Sequence, residues 1–139
     1  MGERTSETGK LVERFIECTL PKAEWTHQAH LRVGLWHVVN HGPEAALPLL
    51  RERISRYNES VGTINSDSSG YHETVTAFYV KTIAATIADC GSAMAIDDLA
   101  AVVIERIGAK EYPLRFYSKA RLFSVEARRG WLPPDIQPL

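Results

Sequence analysis

Apolar residues recur at helical spacing in one segment of this chain after another, with proline or glycine between many of the segments. Leu11, Phe15 and Cys18 begin the series, and similar apolar rows follow as far as Gly108. A period of about 3.6 residues places such side chains on one face of an α-helix. The chain contains no useful alternation of apolar and polar residues and no internal repeat. The pattern therefore predicts an all-α fold, a compact bundle of five or six helices.

Capping and breaking residues set the predicted limits of these helices. The predicted helices cover about residues 6–20, 27–40, 43–57, 71–88 and 96–107, with one or two short helices within 112–131. Thr26 is the predicted cap of the second helix, and Ser68 or Ser69 that of the fourth. The first helix is expected to end before Pro21 and the fifth at Gly108, while Pro48 should kink or delay the third. Turn-forming residues fill the loop from 62 to 70.

Length and charge limit the classes of protein to which this chain can belong. The 139 residues form one predicted all-helical domain, 1–139, with extended tails at 1–5 and 132–139. With a formal net charge of −1, the chain has no electrostatic footprint for nucleic acid or an anionic membrane. The basic residues from Lys119 to Arg129 are interrupted by apolar ones, which favours a solvated helix face. We expect no nucleic-acid or membrane partner, and the sequence leaves the oligomeric state open.

The N-terminal residues, the lengths of the apolar segments and the cysteines predict the cellular compartment. The first residues are charged and lack the apolar run of a signal peptide. No segment reaches the roughly 20 apolar residues of a membrane span. Cys18 and Cys90 lie in apolar, helix-like segments, as reduced core thiols do, although a disulfide between them stays open. These features predict a cytoplasmic protein.

Histidines mark the predicted starts of two helices. The segment WTHQAH at 25–30 carries His27 and His30 at a spacing of i, i+3, which places both on one helix face. The segment GYHET at 70–74 carries His72 at the start of a core-facing row that continues through Thr76. We predict that His72 lies beside the first pair, with ring nitrogens within about 5 Å if the three share a metal.

Position at a helix start also predicts the chemistry of these rings. The partial positive charge there disfavours imidazolium, so His27 and His72 are expected to be neutral near pH 7. Neutral imidazole binds metals and accepts protons, and free backbone N–H groups bind anions. Three alternatives follow: a divalent metal such as zinc on His27, His30 and His72, a polar non-metal pocket, or histidines with structural roles only. In the first two, binding should weaken below a pH of about 6.5, and His72→Ala should abolish it in a folded protein.

Neighbouring residues have a functional and an ordinary interpretation each. Glu73 fits a general base or an orienting group, although glutamate is favourable in any first turn. Trp25 fits a pocket wall or a stacking surface, and Arg128 fits an anion contact or a salt bridge. His37 and His41 fit structural or surface roles.

Three segments resemble a family of small uncharacterised all-helical bacterial proteins, namely WTHQAHLR at 25–32, YHETVT at 71–76 and LFSVEARRGWLPPD at 122–135. The resemblance covers about residues 15–139 and implies a site without implying an activity. The motif positions that match are His27, His30, His72, Thr76, Ser124 and Arg128. A weaker likeness connects the chain to damage-inducible metal-binding four-helix proteins, which also use three histidines, at a different spacing.

These observations support hypotheses from three classes. The first is a metal-dependent hydrolase or transferase, in which His27, His30 and His72 hold the metal and Glu73 assists a bound water. The second is a binding protein whose pocket, lined by these histidines with Thr76, Trp25 and Arg128, holds a small polar or anionic ligand. The third is an interaction domain with structural histidines.

Overall fold

The computed structural model describes residues 6–91 and 93–139, and these ranges form helices without a strand. The α-helices are α1 Glu7–Ile16, α2 His27–Ser60, α3 Glu73–Cys90, α4 Ile96–Ile107, α5 Lys119–Leu122 and α6 Val125–Arg129, with 3₁₀ turns at Lys22–Glu24 and Tyr112–Arg115. The predicted all-α bundle is confirmed, while the predicted tail at 1–5 lies outside the described residues. None of the described helices has both the length and the apolar character needed to cross a membrane.

Helix α2 is two helical segments joined at Gly42. Gly42 has φ 81° and ψ 157°, a backbone conformation that favours glycine, and the chain resumes its helix at Pro43. The predicted break is therefore present. Pro48 neither delays the second segment nor gives it non-helical backbone angles, contrary to prediction. It lies on the exposed face, where water can reach the carbonyl that proline leaves unpaired.

Two predicted helix limits are corrected. Helix α1 ends at Ile16 rather than near Leu20, because Cys18 adopts a φ of 60° and the following amides turn back onto the Arg14 carbonyl. Helix α3 begins at Glu73, and its N-cap is His72 rather than Ser68 or Ser69. Gly70, with φ 78°, turns the chain after the serines, so they lie too early to cap the helix.

The core lies between the two longest helices. α2 packs along α3, and α1 and α4 cover the rest of α2. Side chains that are fully buried come from every long helix, among them Phe15, Leu35, Ile83 and Val103. A second apolar cluster, built around Phe78, Tyr117 and Leu122, joins α3 to the C-terminal third of the chain. The bundle thus brings the starts of α2 and α3 near residues 108–123.

The C-terminal segment after α6 contains no helix or strand, and it is docked on the bundle. Tyr117 donates its hydroxyl proton to the Leu132 carbonyl at 2.6 Å, and Arg121 Nε donates to the Pro133 carbonyl at 2.7 Å. The Ser118 hydroxyl donates to the Asp135 carboxylate at 2.7 Å. Residues 130–136 therefore form a strap rather than a free tail.

Candidate functional site

A cavity of about 410 Å³ opens between α2, α3 and the segment after α4. Its walls are mainly apolar, and its polar side chains come from the start of α2, from α3 and from Lys110. The lining residues include Leu31, Leu50, Ile54, Val75, Leu114 and Phe123 among the apolar ones, and His27, His30, Thr76, Tyr79 and Lys110 among the polar ones. Such a combination of size and lining is typical of small-molecule sites.

His27 and Tyr79 line this cavity, and each also has a buried polar atom. The rings lie 5.9 Å apart between centroids, edge to face. His27 Nε2 and the Tyr79 hydroxyl are buried atoms without a hydrogen-bond partner in the described part of the chain. Burial lowers the pKa of His27, with Lys110 adding to the effect, and burial raises the pKa of Tyr79. The backbone of Gly108 partly offsets the effect of burial on the pKa of His27, and at neutral pH both groups are uncharged.

His30 is fixed by the helix start that carries it. The Thr26 hydroxyl caps α2 by accepting from the Ala29 amide at 3.2 Å, and the Thr26 carbonyl oxygen lies 2.7 Å from His30 Nδ1. Trp25 stacks on the other side of the imidazole at 3.7 Å between centroids. The His30 side chain is exposed and lines the cavity, and desolvation by the protein packed against its ring lowers its pKa to about 4.

Both ring nitrogens of His72 form hydrogen bonds within the protein. Nδ1 accepts a hydrogen bond from the Val75 amide at 3.2 Å, which makes His72 the N-cap of α3. Nε2 lies 2.8 Å from the Leu122 carbonyl and donates to it. Burial lowers the pKa of His72, so the ring is neutral, as this pattern requires. His72 does not line the cavity, whereas Thr76, one turn later, does.

Glu73 is held in an ion pair away from the cavity lining. Arg51 Nε and Nη2 donate to its two carboxylate oxygens at 2.9 and 2.7 Å, and the Tyr71 hydroxyl donates at 2.8 Å. Arg51 is the main cause of the lowered pKa of Glu73. A carboxylate stabilised in this way is a weak base, so the geometry gives no support to Glu73 as a general base.

The other predicted site residues have structural partners. Arg128 Nη1 donates to the Gly70 carbonyl at 2.9 Å, so this cation anchors the loop before α3. Trp25 stacks on Phe15 at 4.7 Å as well as on His30, and it does not line the cavity. The Thr76 hydroxyl lines the cavity while it donates to the His72 carbonyl at 2.9 Å.

Two further histidines have the structural or surface positions that the sequence favoured. His37 is fully buried, with Nδ1 2.8 Å from the Val33 carbonyl and Nε2 2.9 Å from Arg53 Nη1. Burial lowers its pKa to about 4, and the neutral ring donates to Val33 and accepts from Arg53. His41 is exposed, near the break at Gly42.

The structure does not assemble the predicted group of three metal ligands. Within residues 6–91 and 93–139, no three His, Cys, Asp or Glu side chains lie close enough together to hold one ion. His27 and His30 share the cavity, while His72 is committed to Val75 and Leu122. Zinc binding stays a prediction, and its support is reduced to a pair of neutral imidazoles. Cys18 and Cys90 are free thiols.

Tyr79 and Lys110 are site residues that the sequence did not single out. Tyr79 follows His72 and Thr76 on the inward row of α3, and a phenol in an apolar row was the available signal. Lys110 lies between α4 and the next 3₁₀ turn, in a segment without a motif. Its place at the cavity depends on how the segment folds back onto α3.

No protein-family model matches the chain, and no curated protein or solved structure matches it either. The resemblance to the bacterial family therefore stays a prediction, and the function must be argued from the cavity itself.

Proposed function

We propose that this protein binds a small, mainly apolar organic molecule in the cavity between α2 and α3. The observation that carries the proposal is the cavity itself, whose walls are mainly apolar and include a few polar side chains, among them His27, His30 and Tyr79. Such a lining can bury the apolar body of a small molecule and bond to its polar groups.

The apolar walls contribute the affinity, and the polar atoms set the orientation. A volume of about 410 Å³ lies within the range of roughly 300–1,000 Å³ that small-molecule sites occupy. Aliphatic side chains from both helices and Phe123 from the α5–α6 connection surround it. The proposal assigns no catalytic step, because Glu73 is engaged by Arg51 and Tyr71.

A neutral fluorescent probe, N-phenyl-1-naphthylamine, tests the proposal. It should bind with 1:1 stoichiometry, seen as a saturable rise in its emission. Ile54→Trp fills the cavity with an indole and should weaken binding at least about tenfold, which corresponds to about 1.4 kcal/mol. The matched control is Ile64→Trp, because Ile64 is 73% exposed and lies outside the cavity lining.

Circular dichroism should report the same helix content for both variants. If Ile54→Trp is unfolded, Val75→Phe fills the same cavity from α3. Equal probe affinity in the wild type and a folded cavity-filling variant would overturn the proposal, as would the absence of saturable binding. Zinc in place of the probe tests the metal hypothesis: a zinc-specific rise in melting temperature that His27→Ala removes would favour it.

A further inference from the structure

One wall of the cavity comes from a part of the chain that has no long helix. Residues 113–123, here called the wall segment, contribute to the lining through Pro113, Leu114, Leu122 and Phe123. The segment includes most of a four-residue 3₁₀ turn and all of α5, which is also four residues long. Helices this short are not stable on their own in water, so other parts of the chain must hold the wall in shape.

The strap, residues 130–136, supplies contacts of this kind. The Ser118 amide and hydroxyl both donate to the Asp135 carboxylate, at 2.8 and 2.7 Å. The Ile136 amide donates to the Phe116 carbonyl at 2.9 Å. These bonds fix the backbone that lies between the two pairs of lining residues.

The strap begins on α3 and ends on the wall segment. The Thr74 hydroxyl bonds to Gly130 and to the Leu132 amide. From the Leu132 carbonyl onward, the hydrogen bonds of the strap described above run to Tyr117, Arg121 and other residues of the wall segment. Substitutions can therefore remove the bonds to α3 and the bonds to the wall separately.

From this we infer, on the basis of the proposed function, that the strap braces the ligand cavity: its docking holds the wall segment in the shape that binds a ligand. A wall that is ordered before binding costs less conformational entropy when the ligand arrives, so affinity is higher with the strap docked. By linkage, a bound ligand favours the docked strap by the same factor. Asp135 is a positioning residue in this brace, since it does not line the cavity itself.

Asp135→Ala in the full chain tests the brace, because it removes both bonds to Ser118. It should weaken binding of N-phenyl-1-naphthylamine about fivefold, at the lower end of typical coupling between two sites. Asp135→Asn keeps an oxygen that accepts from the Ser118 amide, and it should recover part of the affinity.

Asp67→Ala is the matched control for that variant. Asp67 is also an exposed carboxylate that accepts two hydrogen bonds, from Arg129 at 2.8 and 2.7 Å, and it lies outside the cavity lining. Its loss should leave the affinity for the probe within about twofold of the wild type. Circular dichroism should report the same helix content for all three variants.

Amide hydrogen exchange, followed by nuclear magnetic resonance, tests the reciprocal effect in the unmodified protein. Saturating N-phenyl-1-naphthylamine should slow exchange of the Ser118 and Ile136 amides at least about fivefold, because both amides bond between strap and wall segment. The Thr8 amide, which donates to Asp97 at the start of α1, is the control and should exchange at an unchanged rate. This measurement decides the question even if Asp135→Ala does not fold.

The outcomes separate the brace from the proposed function. If the probe does not saturate in the wild type, the proposed function fails and the brace with it. If the probe binds but Asp135→Ala retains full affinity, or loses no more than Asp67→Ala, the brace is overturned while the cavity remains a binding site. Unchanged exchange of the Ser118 and Ile136 amides in the probe-bound protein overturns it as well.

Discussion

The starts of α2 and α3 carry the same kind of sequence and have opposite roles in the structure. At the start of α3, polar side chains bond to the protein: His72 to Val75 and Leu122, and Glu73 to Arg51. At the start of α2, His30 bonds to the Thr26 carbonyl through Nδ1 alone, and His27 Nε2 is buried without a partner.

The difference teaches that tertiary hydrogen bonds, rather than a motif, decide which histidines are committed to the fold. Native folds pair nearly all buried polar groups, so a histidine that bonds to a distant segment is part of that pairing. The α3 start anchors the loop and the C-terminal strap. At the α2 start, His27 and His30 line a cavity. Substitutions at buried hydroxyl groups and at His72 can break or sharpen this comparison.

Thr74→Val should have the largest effect on stability. The Thr74 hydroxyl is fully buried, donates to the Gly130 carbonyl at 2.8 Å and accepts from the Leu132 amide at 3.0 Å. Its loss leaves two backbone groups unpaired, which should lower the free energy of unfolding by about 2–3 kcal/mol in urea denaturation. Probe affinity should stay within about twofold of the wild type.

Thr82→Val is the matched control for that variant. The Thr82 hydroxyl is also buried, but it donates to carbonyls of its own helix, which lose little when it is removed. Its free energy of unfolding should change by less than about 0.5 kcal/mol. Equal destabilisation by the two substitutions would contradict an anchoring role for the α3 start.

Two tyrosine substitutions should have effects of opposite sign. Tyr57→Phe removes a fully buried hydroxyl that donates to the Leu20 carbonyl at 2.8 Å, and it should destabilise by about 1–2 kcal/mol. Tyr79→Phe removes a buried hydroxyl that has no partner in the described part of the chain and should stabilise the protein by about 1 kcal/mol. Urea denaturation measures both effects. Destabilisation by Tyr79→Phe equal to that by Tyr57→Phe would show that its hydroxyl has a structural partner.

Acid should weaken the start of α3. The pKa of His72 is lower in the folded protein, so its contribution is complete above the unfolded value of about 6.5 and is lost as the pH falls below it. His72→Asn keeps a good N-cap residue without a titrating ring, and it should reduce the loss of stability between pH 7 and 5. An unchanged pH profile would contradict this role for His72.

Ligand affinity should hardly change over the same pH range. His30 has a pKa of about 4, so it remains an acceptor well below pH 6.5. The sequence predicted that binding weakens below a pH of about 6.5, the value for an unperturbed imidazole. With the lowered pKa of His30, we expect binding to weaken only at a more acid pH. His72 caps α3 and does not line the cavity. We therefore expect His72→Ala to lower stability through the lost cap and to leave probe binding largely intact.

Local sequence was sufficient for most helices because their limits depend on local interactions. Thr26 caps α2, and Gly42 breaks it before Pro43, where the sequence placed these events. The cap of α3 was missed because an imidazole took the role that serine usually fills. The His27–His30 pair was also predictable, since i, i+3 spacing on a helix fixes a shared face.

The sequence by itself determined an all-α bundle and a pair of histidines on one face of α2. Tertiary structure decided which histidines stay available, because a hydrogen bond such as that of His72 to Leu122 joins residues 50 positions apart. It also brought Tyr79 and Lys110 to the same cavity as His27. Helical periodicity is encoded over a few neighbouring residues, whereas the pairing of a polar atom depends on which distant segment packs against it.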